Sequence, residues 1–324
     1  MRVPQEWSAA SSGERTERDP EPRPRSPGAR ASVRGHGGPF EAPHEIGLRV
    51  WRAVGPGGVV VAAVVLLALL APVLAPHSLG AFDLTHRLSP PIWDARGDWT
   101  HPLGTDTLGR DVLSRILHGA RTSLGVAGAA VLLAAALGIL LGLLSGYAGS
   151  WADGVIMRLA EIQLSFPYLL LAIAVMALFK PSLVNLIVVL VLRSWVVYAR
   201  LIRVVTLSAR ERDFVVAARA LGGRAARILF RHIAPNVVGP SIVVSSFQLA
   251  ELIIVESSLS FLGLGVQPPT PSWGGMVSEG RDYVGSAWWI SALPGLAIVV
   301  TVLGANLFGD ALRRSLDPRL RGVS

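Results

Sequence analysis

The chain has 324 residues, of which 51% are hydrophobic and 16% are charged, and its mean hydropathy is +0.50. Long uncharged runs in a chain of this composition exclude an ordinary soluble domain and indicate an integral membrane protein. The absence of cysteine excludes disulfides and thiolate metal sites, and the net charge of +8 comes from arginines in loops between apolar runs, which argues against nucleic acid as a partner.

The first part of the chain combines a polar tail with one apolar run. Residues 1–50 are rich in Arg, Glu, Pro, Gly and Ser, and they carry too little apolar surface to offset the entropy of ordering, so we predict a disordered tail. The apolar run at residues 55–75 is long enough to cross a bilayer core of ~30 Å at 1.5 Å per residue. We therefore assign residues 51–118 to a first transmembrane helix and the loop that follows it on the outer side.

Five further apolar runs predict five further membrane spans. They lie at residues 122–146, 157–179, 183–202, 238–260 and 288–309. A short turn with Lys180 and Pro181 separates the third span from the fourth, and Pro167 should kink the third. In the second span, Gly138, Gly142 and Gly146 share one helix face and permit close backbone packing. The predicted fold is an all-α integral membrane protein with six transmembrane helices.

Arginine placement predicts the orientation. Arginines concentrate in residues 2–52, in the loop at residues 203–231 and in residues 313–321, whereas those between the first two spans are matched by aspartates. An even number of spans places all three arginine-rich regions on one side, and the positive-inside rule makes that side cytoplasmic. We therefore expect both termini in the cytoplasm, with residues 312–324 as a second cytoplasmic tail.

The loop between the fourth and fifth spans holds the most informative pattern. Residues 213–236 read DFVVAARALGGRAARILFRHIAPN. An Ala-rich helix should end at Gly222 and Gly223, a second amphipathic helix should follow, and Pro235 should mark a turn into the fifth span. Small alanine side chains permit close approach by a partner protein. The pattern alone is equally compatible with a basic helix that lies on anionic lipid.

This loop resembles the EAA loop of ABC importer permeases. Ala217, Ala218, Gly222 and Pro235 match the pattern of that loop, and the ending RHIAPN, with His232, is similar to the RHILPN ending of the peptide-importer branch. Val216, His232 and Ala234 stand where the general pattern has Glu, Ile and Leu. Two further blocks, at residues 101–124 and 256–273, resemble the C-type permease subunit of dipeptide and oligopeptide importers.

The resemblance implies an ABC importer type I transmembrane domain at residues 119–311, with a cytoplasmic coupling loop at residues 203–237. It also implies a working complex of this chain with a sister permease, two cytoplasmic ATPase subunits and an extracytoplasmic peptide-binding protein, in the bacterial inner membrane. No phosphate-binding loop of the form G-x-x-x-x-G-K-[ST] occurs in the sequence, so the energy should come from the ATPase chains. Dipeptides or short oligopeptides are the expected cargo, and nickel, glutathione and oligosaccharides are the alternatives.

Four ionisable residues fall within the predicted spans. Charged groups are costly in a membrane, so they usually face the bundle interior, where they pair or line a polar path. We treat the four as candidates for the substrate pathway or for structural ion pairs: Glu161, Arg193, Glu251 and Glu256.

Outside the spans we expect no metal, cofactor or catalytic site. Asp106 and Asp111 are spaced poorly for a metal, His101 and His118 stand alone in the sequence, and an amphipathic helix should start near Thr107. A membrane enzyme would need a motif such as H-E-x-x-H or G-x-S-x-G, and neither occurs. A self-sufficient channel stays open as an alternative, although it would not need the basic docking loop.

Overall fold

A computed structural model describes residues 43–316, and these are almost entirely helical. Of the tail predicted to be disordered at residues 1–50, residues 1–42 lie outside the described part of the chain. Residues 43–50 are helical and form the first turns of α1 (Pro43–Leu74), so the prediction is wrong for them. Gly55, with φ of 57°, interrupts α1, so its membrane-spanning part is Gly55–Leu74. The remaining helices are α2 (Val112–Ala148), α3 (Ser150–Leu164), α4 (Tyr168–Phe179), α5 (Leu183–Arg210), α6 (Asp213–Ala220), α7 (Ala225–Ile228), α8 (Ala234–Phe261), α9 (Trp273–Gly280) and α10 (Trp289–Leu316).

Within the described residues, five helical segments are long and apolar enough to span a membrane. A sixth span arises if α3 and α4 are counted together, although the two helices meet at an angle of 89°. The break lies at Pro167, which precedes α4 and lacks the N–H that would continue α3. The kink predicted at Pro167 is therefore confirmed, in the stronger form of a broken helix.

The spans leave two ends of different character. We call residues 75–111 and 262–288 the long-loop end, where the Trp289 indole N–H donates to the Thr105 carbonyl over 3.1 Å. We call residues 149–153 and 211–233 the short-helix end, where Arg203 donates to Asp153 over 2.5 Å. The two ends lie at opposite termini of α2, α5, α8 and α10.

The helix predicted to start near Thr107 starts instead at Val112, so that prediction is wrong. The Asp111 carboxylate caps α2 by accepting the Ser114 N–H over 2.7 Å. Asp106 in turn accepts the N–H groups of Leu108 and Arg110, which holds residues 106–110 in a turn. The sequence offered two capping aspartates five residues apart, and the second of them begins the helix.

The predicted glycine face of α2 lies against α5. A Cβ atom on Gly138 would lie 2.5 Å from the Tyr198 Cβ, and one on Gly142 would lie 2.7 Å from the Ala199 carbonyl oxygen. Both distances are shorter than van der Waals contact, so the two helices meet at backbone distance only because these residues are glycine. The interpretation of these glycines as packing residues within the chain is confirmed.

This packing predicts a stability difference between two alanine variants of α2. We expect Gly142→Ala to destabilise the chain by about 1–3 kcal/mol, the usual cost of overpacking. Gly128→Ala is the matched control, because a Cβ there meets nothing within 4 Å. The thermal midpoint of each variant in detergent, measured by size-exclusion chromatography after heating, provides the test. Equal midpoints for the two variants would contradict the role of Gly142.

Candidate functional sites

The first candidate site is a pair of short helices at the short-helix end. We call residues 213–233 the short-helix segment. Helix α6 ends as predicted at a glycine pair: Gly222 has φ of 78°, and the Gly223 N–H donates to the Ala218 carbonyl over 3.0 Å. This is the hydrogen bond of a Schellman C-cap, which glycine permits at positive φ. A sharp reversal between α6 and α7 results.

Apolar side chains hold the short-helix segment against the membrane helices. Val215, Ile228 and Ile233 are at most 1% exposed and belong to one cluster with Leu143 and Ile202. The apolar face predicted for the second helix is therefore buried in the body of the protein. Since this face is already occupied, the segment cannot lie with it on lipid, and its opposite face is the one available to a partner.

That opposite face carries exposed apolar side chains among arginines. Leu221 at the reversal is 89% exposed. Ala217 is exposed beside it and Ala218 is half-buried. The other large exposed apolar residues of the segment are Phe214, Val216 and Phe230. Its exposed arginines are Arg219, Arg224, Arg227 and Arg231. A compact projection with an apolar tip and a basic surround is suited to insertion into a cleft of another protein.

Two predicted residues of this loop lie away from the apolar tip. His232 is half-buried, and its carbonyl accepts the Asn236 amide over 2.6 Å. Pro235 lies in the first turn of α8 and does not mark a turn, because α7 and α8 continue one another from Ala225 to Phe261. A proline ring normally clashes with the carbonyl of the preceding helical turn. Here a π-helical turn at Leu229–Ile233 precedes Pro235 and widens the helix, so the helix continues through the proline.

The second candidate site is an ion pair near the middle of two membrane-spanning helices. The guanidinium of Arg193 on α5 donates to the Glu251 carboxylate on α8, and it lies over the Tyr168 ring, 5.2 Å from the centroid. Each charged residue lies ten residues from the long-loop end of its helix, which is about 15 Å at 1.5 Å per residue. The side chains are 26% and 41% exposed. Since lipid cannot solvate such a pair, another chain or an aqueous path must cover it.

Of the other predicted intramembrane groups, Glu256 is fully buried and Glu161 is exposed. Glu256 has no exposed surface, and it accepts the Ser260 hydroxyl over 2.7 Å and the Ser257 hydroxyl over 3.4 Å. Glu161 on α3 pairs with Arg158 over 3.4 Å. Glu256 is therefore enclosed by serines within the chain, whereas Glu161 lines a cleft with Arg200 and Arg203.

One exposed face of α5 carries two arginines, Arg193 and Arg200, seven residues apart, with Val197 and Val204 between and after them. On another face of α5, the buried Trp195 indole donates to the Gln163 amide oxygen of α3 over 2.7 Å. Sequence analysis named Arg193 and Glu161 but missed Tyr168, Gln163 and Arg158. The spacing of seven between Arg193 and Arg200 was the available signal, since it places both on one helix face.

The third candidate site is a charge cluster at the long-loop end. Arg115 donates to Asp106 and, over 2.6 Å, to Glu279, while Arg110 donates to the same two carboxylates over 2.6 Å and 2.8 Å. Asp106 and Arg115 are nearly fully buried. A cleft of about 430 Å³ opens beside Arg115 and Glu279, between α9 and residues 260–272.

The cluster predicts that Glu279 stabilises the long-loop end. Glu279→Gln removes the carboxylate shared by two arginines, and the loss of charged hydrogen bonds should cost about 1–3 kcal/mol. Asp282→Asn serves as the control, since within residues 43–316 Asp282 pairs with Arg281 alone, at the surface, with its side chain 75% exposed. Thermal unfolding in detergent distinguishes the two. A Glu279→Gln midpoint as high as that of the control would contradict the prediction.

His101, which appeared isolated in the sequence, is not isolated in the structure. Its ring stacks on that of His77 with centroids 4.5 Å apart, and its Nδ1 lies 3.2 Å from the Asp111 carboxylate. The earlier expectation failed because His77 is 24 residues away in the sequence, and only the fold of residues 75–111 brings the two rings together.

Comparisons with known proteins match most of the chain. The profile of the family described as "Binding-protein-dependent transport system inner membrane component" matches residues 138–322. The chain is 43% identical over 261 residues to the "Di/tripeptide transport system permease protein DppC" of Pseudomonas aeruginosa, covering 81% of this chain and 86% of that protein. It is 43% identical over 265 residues to the "Dipeptide transport system permease protein DppC" of Escherichia coli, covering 82% and 88%. The protein of that name from Haemophilus influenzae is 40% identical over 265 residues, covering 82% and 90%.

Proposed function

Because the chain belongs to the family of binding-protein-dependent transport system inner membrane components, we propose that it forms one half of the translocation pathway of an ATP-driven importer for dipeptides or short oligopeptides. The chain is a multi-pass inner-membrane transport permease and not an enzyme. The peptide cargo is inferred from the relatives, which are named as dipeptide and di/tripeptide permeases.

The other half of the pathway would be a sister permease. The ion pair of Arg193 and Glu251 is partly exposed near the middle of two spans, and Arg200 lies on the same face of α5 seven residues further on. A sister chain that covers this side would enclose a polar path between the two subunits and remove the charges from lipid. We assign Arg193, Glu251 and Glu161 to this path, and Glu256 to the interior of the chain.

Two ATPase subunits on separate chains would drive transport from the short-helix end. The observation that supports this proposal is the exposed tip of the short-helix segment. The tip is apolar and surrounded by arginines, and the other face of the segment is buried against the membrane helices. Ala217, Ala218 and Gly222 would enter a cleft of the ATPase, while His232 and Pro235 would connect the tip to α8. Movement of the ATPases would then reach α5 and α8 through buried contacts.

The proposal includes an orientation and domain boundaries. The short-helix end would be cytoplasmic, in agreement with the arginines of residues 203–231 and the positive-inside rule, with both termini on the same side. The transmembrane domain would occupy residues 119–311, and residues 203–237 would hold the coupling loop. The long-loop end would face outward, where an extracytoplasmic peptide-binding protein delivers cargo to the cleft beside Arg115 and Glu279.

Co-purification in mild detergent from the native host tests the assembly. The tagged chain should bring down a second multi-span permease and two P-loop ATPases, and a strain lacking the chain should lose uptake of radiolabelled dipeptides. Recovery of the chain without any ATPase, under every nucleotide condition, would overturn the coupling role. Normal dipeptide uptake with lost nickel or oligosaccharide uptake would overturn the peptide assignment alone.

A further inference from the structure

We propose that His77, His101 and Asp111 form a binding site for one divalent transition-metal ion, with zinc as the preferred ion, at the long-loop end. One potential ligand atom from each of the three residues lies within 4.8 Å of the others. Two imidazoles and a carboxylate are a ligand set that suits zinc, and an ion with this set keeps one further position for water.

One distance between the ligand atoms matches a tetrahedral site, and a second is longer. Zinc bonds of about 2.0–2.1 Å place neighbouring ligand atoms about 3.3 Å apart. The distance from the His101 Nδ1 to the nearer Asp111 oxygen is 3.2 Å, and the distance from the His77 Nδ1 to the other oxygen is 4.0 Å. The two imidazole rings are stacked with 26° between their planes, so the His77 ring must turn out of the stack before both Nδ1 lone pairs point at one ion. The His77 side chain is the most exposed of the three, at 34%, and is therefore the one with room to turn.

The His77 ring nitrogen provides an independent observation. Its Nδ1 is buried and has no hydrogen-bond partner among the described residues. A buried polar atom without a partner is costly and calls for an explanation such as an ion. Asp111 is fixed nearby, because its Oδ2 accepts the Ser114 N–H, and it is almost fully buried. The site therefore has a rigid carboxylate and a nitrogen that lacks a partner.

A fourth histidine lies near the site without belonging to it. The His86 ring is 6.1 Å from that of His101, but its Nδ1 lies 2.6 Å from the Asp83 carboxylate. Hydrogen bonds from Thr85 and then His86 hold the pKa of Asp83 well below its usual range. Because the His86 ring is already paired with the Asp83 carboxylate, the residues of this cluster that remain available to a metal are His77, His101 and Asp111.

The ion would join three positions that are far apart along the loop between α1 and α2. His77 follows the end of α1, His101 lies in the loop, and Asp111 begins α2. A metal bound to all three would hold residues 75–111 against the N-terminus of α2 and close a loop of about 35 residues, a large entropic constraint on the unfolded chain. This role is structural, so it is independent of the transported cargo.

The test measures metal content directly. The full chain, purified with a tag that contains no histidine, is stripped with EDTA, reloaded with zinc or magnesium and passed through a desalting column before mass spectrometry of the metal. We expect about one zinc and no magnesium per chain. His77→Asn should lower zinc retention at least tenfold, and His101→Gln should do the same. His232→Asn at the opposite end should retain zinc like the wild type.

His77 is the residue to change because its side chain carries no other described hydrogen bond, while its backbone N–H still donates to Ser114. Asp111 is avoided because it also caps α2. Should His77→Asn fold poorly, the wild-type thermal midpoint decides: it should rise with zinc and not with magnesium. Zinc content well below one ion per chain, or equal content in wild type and a folded His77→Asn, would overturn the proposal.

Discussion

Leu221→Glu is expected to reduce ATP-dependent dipeptide uptake at least tenfold while the permease remains at normal levels in the membrane. Leu221 is 89% exposed, so the glutamate costs the isolated chain almost nothing. In the complex, however, a carboxylate at the apolar tip would enter the cleft of the ATPase and lose its hydration. A buried contact residue of this kind is worth about 2 kcal/mol or more in an interface, which corresponds to roughly thirtyfold weaker binding.

The matched control for this prediction is Leu316→Glu. Leu316 is also an exposed leucine at the short-helix end, but it lies at the end of α10, outside the proposed coupling surface. Uptake and ATPase recovery should stay normal in this variant. If Leu221→Glu transported like the control and recovered the ATPases equally, the tip of the short-helix segment would not be the coupling contact.

Glu251→Ala is expected to lower the amount of folded permease in the membrane about tenfold. The change leaves Arg193 without its anion in the middle of α5. Removing one partner of a fully buried pair costs about 3–5 kcal/mol, and the partial exposure of this pair, 26% and 41%, lowers the expected cost to about 1–2 kcal/mol. The measurement is the fraction of monodisperse protein after detergent extraction. The control is Glu161→Ala, because the ion pair that Glu161 forms among the described residues is an exposed one with Arg158, and such pairs contribute little to stability.

A double variant separates a structural role of this pair from a transport role. Arg193→Met combined with Glu251→Met removes both charges, so the amount of folded permease should return towards that of the wild type. If the pair also lines the path of a peptide with charged termini, uptake should stay at least tenfold low despite restored protein. Full recovery of uptake in the double variant would show that the pair is structural only.

The spans and the packing faces were predictable because they depend on local patterns. Uncharged runs of about 20 residues identify spans, and glycines four residues apart predicted a close-packed face on α2, although not that α5 is its neighbour. The buried side of the short-helix segment followed from its apolar spacing at Ile228, Leu229 and Ile233. Each of these predictions depends on residues within a single helix and needs no knowledge of its neighbours.

The long-loop end was not predictable, because its contacts join residues distant in the sequence. His77 meets His101 across 24 residues, and Arg115 meets Glu279 across 164. The start of α2 was also predicted wrongly, since Asp106 and Asp111 are equally good caps in isolation. The tertiary hydrogen bonds of Asp106 with Arg115 decide between them. The continuous helix through Pro235 depends on a π turn, which has no clear sequence signal.

The right-angled break between α3 and α4 has a consequence for the synthesis of the protein. At 1.5 Å per residue, the 15 residues of α3 and the 12 residues of α4 extend about 22 Å and 18 Å, so neither arm alone matches a bilayer core of about 30 Å. The three-residue turn before α5 lets α4 and α5 leave the translocon together as one helical hairpin. In a nascent chain that stops after residue 179, we therefore expect the segment of α3 and α4 to be integrated poorly while α1 and α2 span the membrane, and integration of that segment to be completed once α5 has emerged from the ribosome.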